Sequence, residues 1–139
     1  MLRQIQKAIK RLSLGFYVIG TCGDPRKDIA EIVSVKPDIF IYEMETGGIR
    51  MMNTLRKNGI ENAFIAVSPS QSGSLTRDFF TFGGFDYWRE TFDGCAGGYV
   101  HEGLVKETLE KYERLRRNGE ELVPARRNYS PPNRCKRFQ

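Results

Sequence analysis

Residues 63–67, Ala-Phe-Ile-Ala-Val, are apolar without a break, and residues 39–42 nearly repeat the pattern. Runs this short have strand length, and a strand apolar on both sides needs cover on both faces. A parallel sheet with helices above and below meets that demand, so the chain is expected to be α/β. The stretches between the runs supply the helices. Residues 2–12 set Leu2, Ile5, Ile9 and Leu12 on one stripe among Arg, Lys and Gln, which predicts an amphipathic helix. Asp24-Pro25 suits a helix start, and Ile29, Ile32 and Val33 give that helix an inward face. Ile49, Met52 and Leu55 mark a further helix, closed by Asn58-Gly59. Ser74 begins another, with Leu75, Phe79 and Phe82 inward and Gly83-Gly84 at its end. The longest helix is expected over residues 101–118, with Val105, Leu109 and Tyr112 inward and i,i+4 pairs such as Glu113 with Arg117 outside. Strands are expected at 16–21, 37–43, 63–67 and 85–88. Strands alternating with helices across short connections predict a doubly wound parallel sheet.

Composition narrows the class further. The chain has 139 residues, 40% of them hydrophobic and 28% charged, which suits one globular domain. No apolar run approaches the length of a membrane span, and no leader pattern opens the chain. Cys22, Cys95 and Cys135 are odd in number and widely spaced, which points to free thiols in a reducing cytoplasm. With His101 they make no zinc set, so neither metal nor cofactor is expected. The net charge of +5 sits at the ends: Arg3, Lys7, Lys10 and Arg11 at one, Arg126, Arg127, Arg134, Lys136 and Arg137 at the other. The domain is expected to occupy residues 1–118, and residues 119–139 to form an irregular basic tail containing Pro124, Pro131 and Pro132. Gly94-Cys95-Ala96-Gly97-Gly98 reads as a loop. No Gly-x-x-x-x-Gly-Lys pattern is present, so nucleotide hydrolysis has no support and no catalytic residue is assigned.

Three phrases carry a resemblance. Leu14-Gly15-Phe16-Tyr17-Val18-Ile19-Gly20, Lys36-Pro37-Asp38 with the apolar run after it, and Gly84-Phe85-Asp86-Tyr87 each stand in a fitting element and order. Together they resemble the receiver domain of bacterial response regulators over residues 2–117. The resemblance implies a flavodoxin-like fold and a place in two-component signal transduction. It also implies a phosphoacceptor site at the carboxyl ends of the strands, where open α/β sheets place their chemistry. In such a receiver an acidic pair on the first strand and the phosphoaccepting aspartate bind Mg²⁺, and a lysine ends the fifth strand. Here Glu43 stands in place of the aspartate and Glu90 in place of the lysine. The first strand and its acid pair have no counterpart. Ser68 and Tyr87 remain at the positions of the switch hydroxyl and the switch aromatic. The resemblance therefore implies a pseudo-receiver that takes no phosphate, with no enzymatic activity. Glu43 is either a mimic of the phosphorylated state or the remnant of a degraded site.

In the family the absent strand lies mid-sheet, between the second and third. Three outcomes are open: the sheet closes up on four strands, another chain donates the strand, or the chain is a piece of a longer one. An unpaired edge invites association. Phe79, Phe80, Phe82, Tyr87, Trp88 and Phe92 crowd residues 79–92, and an exposed patch of Phe79, Phe80, Phe82, Trp88 and Phe92 would mark a partner surface. The expected function is a regulatory or scaffolding module that binds protein, self-associates as a dimer or joins a hetero-complex, and touches no membrane. The competing class is a structural subunit whose basic ends bind nucleic acid or a neighbouring subunit. Tyr129 and Phe138 among the tail's bases fit either form of it.

Overall fold

A computed structural model describes residues 1–21, 27–46, 48–60, 63–69, 73–92 and 97–119. The helix start at Asp24-Pro25, Cys22, Cys95, most of the glycine loop and all the tail bases from Arg126 to Arg137 lie outside the described residues.

The chain is an α/β domain with a parallel sheet. Helix α1 (Leu2–Leu12) is followed by α2 (Ile29–Val35), β1 (Ile39–Glu43), α3 (Gly48–Lys57), β2 (Ala63–Ser68), α4 (Gly73–Thr81), β3 (Asp86–Arg89) and α5 (Glu102–Arg117). The three strands lie in the order β1-β2-β3 and all pairs are parallel. Every residue of β2 is buried, as a central strand covered on both faces requires. Its side chains alternate between two cores. Ala63, Ile65 and Val67 pack with Ile5 and Ile9 of α1 and with Val105, Leu109 and Tyr112 of α5. Phe64 and Ala66 pack with Ile32, Met51, Met52, Leu55 and Phe79 from α2, α3 and α4. The uninterrupted apolar run thus feeds two layers at once.

Helix ends follow the local sequence. At the end of α3 the Ile60 amide donates to Leu55 O and the Gly59 amide to Arg56 O, both at 3.0 Å. That pair of bonds places Gly59 (φ +90) at the left-handed position, where only glycine is free of strain. α4 closes the same way through Gly83, and Arg56 donates from Nη1 to Phe82 O and from Nη2 to Gly83 O, both at 2.6 Å. A cation is favourable there because the last carbonyls of a helix carry partial negative charge. α5 ends at Arg117 with Asn118 as its cap, close to the expected end of that helix. Glu113 pairs with Arg117 at 3.6 Å and more closely with Arg116 at 2.9 Å, while Lys111 lies over the Phe85 ring instead of across the helix surface.

One expected element is absent. Residues 16–21 form no strand, although their aromatic and β-branched residues favour one. A strand exists only through a ladder, and a cleft of about 630 Å³ separates this segment from β1. Tyr17 is 81% exposed, and Val18 and Ile19 are exposed too. The sheet has therefore not closed up on four strands.

Candidate functional site

The carboxyl ends of the strands bring three of the expected site positions, Glu43, Ser68 and Glu90, to one edge. Glu43 is the last residue of β1, exposed, and in register with Val67. Ser68 ends β2 fully buried, in register with Arg89 at the end of β3. The Glu90 amide donates to Ser68 O at 2.8 Å, which draws Glu90 to the same level. Parallel register sets this gathering, since it holds Glu43 level with Val67 and Arg89 level with Ser68 although β3 starts two residues later than β2.

Glu45 completes the group, and the sequence reading missed it. A single 3₁₀ turn, Met44–Thr46, swings Glu45 back so that the Ser68 hydroxyl donates to its Oε1 at 2.8 Å. The hydroxyl expected as a switch is thus held by a neighbouring carboxylate. The only sign in the sequence was an acid two positions beyond Glu43, whose direction depends on the turn.

Glu90 sits in an acidic setting. Burial raises its carboxyl above the ordinary value, the charges of Glu43 and Glu45 raise it further, and the chain's terminal ammonium opposes them. Its carboxylate lies against Gly98, where a Cβ would come 1.7 Å from Oε2, so a side chain there would push the Glu90 carboxylate aside. The folded chain holds the Glu90 proton more tightly than the unfolded chain does. Its contribution to stability is therefore fully present below the ordinary value of 4.5 and lost as pH rises through the raised one. Glu90→Gln is expected to raise Tm at neutral pH and leave it unchanged at the acidic end of that window. Thermal melts followed by circular dichroism at the two pH values check this, and a lower Tm at neutral pH would contradict it.

Tyr87 and Trp88 part company. Tyr87 turns to the α3–α4 layer, where its ring meets Phe79 edge-on at 5.9 Å. Its hydroxyl is buried and makes no hydrogen bond among the described residues. Trp88 turns to the α1–α5 layer and is fully buried. Its indole N–H donates to Thr108 Oγ1 at 2.8 Å, and the Thr108 hydroxyl donates to Asp86 Oδ2. Phe79 is fully buried as well, ringed by Tyr42, Phe80 and Tyr87. The expected exposed patch is corrected accordingly: Phe79 and Trp88 are core, Phe80 and Phe82 are half-buried, and Phe92 stands out at 58% exposure. A strand's period of two shares its aromatics between two layers, and a crowded sequence is accommodated that way.

Among the described residues no cluster of Asp, Glu, His or Cys side chains could hold a metal ion, and no helix is long and apolar enough to cross a membrane. His101 caps the start of α5, its ring 5.2 Å from that of Tyr99. No protein-family model, curated protein or solved structure matches the chain.

Proposed function

We propose that this chain is a cytoplasmic, receiver-like module with a flavodoxin-like frame, one that takes no phosphate and acts by binding protein. The observation that carries the reading is the acidic edge formed by Glu43, Glu45 and Glu90 at the carboxyl ends of the strands. A receiver needs a metal and a cationic side chain to offset the charge of a phosphoryl group. Here Glu90 stands at the position the resemblance gives to that cation, and Glu45 occupies the Ser68 hydroxyl. The layering supports the frame, with α1 and α5 on one face of a parallel sheet and α2, α3 and α4 on the other. Without phosphotransfer, what remains for such a frame is recognition.

Incubation with acetyl phosphate and Mg²⁺ tests this. The intact mass is expected to stay unchanged, at neutral and at mildly acidic pH alike. A stoichiometric phosphoryl adduct on Glu43 or any other carboxylate would sink the reading.

A further inference from the structure

The cleft beside β1 has the features of a slot for a single strand. The Ala63 amide donates to Asp38 O at 3.1 Å, and Ile39 is in register with Ala63. Successive backbone groups of a strand point to opposite sides, so Phe40 and Tyr42 serve β2. The N–H and C=O groups of Ile39, Ile41 and Glu43 point the other way, into the cleft. Across it run residues 15–21, extended in sequence character and outside any ladder. Ile5 and Ile9 of α1 with Leu109 of α5 form one wall, and Ile32 and Val35 of α2 form the opposite one.

Each of these surfaces specifies part of an occupant. A backbone edge on β1 calls for an extended peptide, because only an extended chain presents alternate donors and acceptors at matching spacing. Apolar walls on both faces call for side chains apolar on both faces, as in β2. The five residues of β1 set the length. Glu43 at one end, with Glu45 and Glu90 behind it, calls for a base at that end.

We propose that this slot binds an extended segment of another polypeptide, about five apolar residues long with a lysine or arginine beside Glu43, which completes the sheet by pairing with β1. Nothing described in this chain fits that role. The apolar runs of β1 and β2 are already in the sheet, and residues 16–19 line the far side of the cleft from β1. The proposal rests on the protein-binding reading above and gives it a site and a ligand class.

The probe is a synthetic peptide of five alternating valines and isoleucines with two lysines at each end, titrated into the ¹⁵N-labelled full chain. The amide signals of Ile39, Ile41, Glu43 and residues 16–21 are expected to shift together, while those of α4 and β3 stay in place. N-methylating all five central peptide residues removes the donors from both edges without changing the apolar character, and is expected to weaken binding about tenfold or more. Glu43→Lys, an exposed substitution, is expected to reverse the preference from lysine-ended to glutamate-ended peptides. The proposal is overturned if no peptide binds, if N-methylation leaves affinity unchanged, or if the shifts fall on Phe82 and Phe92 instead. It is equally overturned if the slot signals change on simple dilution while light scattering shows a dimer, since a second copy would then be the occupant. A phosphoryl adduct in the earlier experiment would leave these peptide results standing, so the two readings fail separately.

Discussion

Trp88→Ala is expected to destabilise the chain by about 3–5 kcal/mol, the range for removing a fully buried large aromatic. The indole has no exposed surface and packs against the α1–α5 layer with Val67, Val100, Val105 and Leu109. Removing it opens a cavity that two helices and a strand cannot readily close. It also takes the indole donor away from Thr108. For a domain whose total stability is about 5–15 kcal/mol, that is a large share. Trp88→Phe keeps most of the volume and loses mainly the hydrogen bond, so it is expected to cost about 1 kcal/mol plus a small packing loss. Urea unfolding followed by far-ultraviolet circular dichroism measures both without relying on the indole. A cost below about 1 kcal/mol for Trp88→Ala would mean an exposed indole, since only surface substitutions are that mild.

Gly84→Ala is the second large effect. A Cβ at this position would stand 2.1 Å from Cε2 and 2.3 Å from Cδ2 of Phe79. That ring is fully buried and held by Tyr42, Phe80 and Tyr87, so it cannot swing aside as the end of a flexible side chain would. The added methyl must move the backbone between α4 and β3 or displace the ring, at a cost near the top of the about 1–3 kcal/mol range for overpacking. Two companions separate this from a general intolerance of substitution. Gly59→Ala meets no atom within 4 Å but keeps φ at +90, so its cost is conformational only, about 1–2 kcal/mol. Phe79→Leu combined with Gly84→Ala should cost less than the two singles added, because the shorter side chain makes room. Simple additivity in that double-mutant cycle would mean that Gly84 and Phe79 do not meet.

The two glycines show where sequence patterns stop. Gly59 announces itself, because Asn-Gly after an apolar-periodic stretch is a local instruction to end a helix. Gly84 looks the same in the sequence, yet its necessity comes from a ring that folding brings against it. The site divides similarly. Glu43 and Glu90 are legible as strand-end residues because the apolar runs before them have strand length. Glu45 meeting Ser68 is not, since that contact needs a turn and a parallel register between residues 23 positions apart.

Residues 16–21 teach the opposite lesson: their composition favours a strand, and tertiary structure withholds one. By itself, then, the sequence determined what depends on neighbours along the chain. That covers the helical stripes of α1 and α5, the two-faced apolar run of β2, the left-handed helix ends and the α/β class they jointly imply. Tertiary structure alone decided what depends on distant partners. It chose which aromatics are core, which carboxylates meet, and whether a β-prone segment finds a ladder. Strand propensity is only permission to pair, and the backbone groups of Ile39, Ile41 and Glu43 face a cleft because pairing requires a second edge at hydrogen-bonding distance.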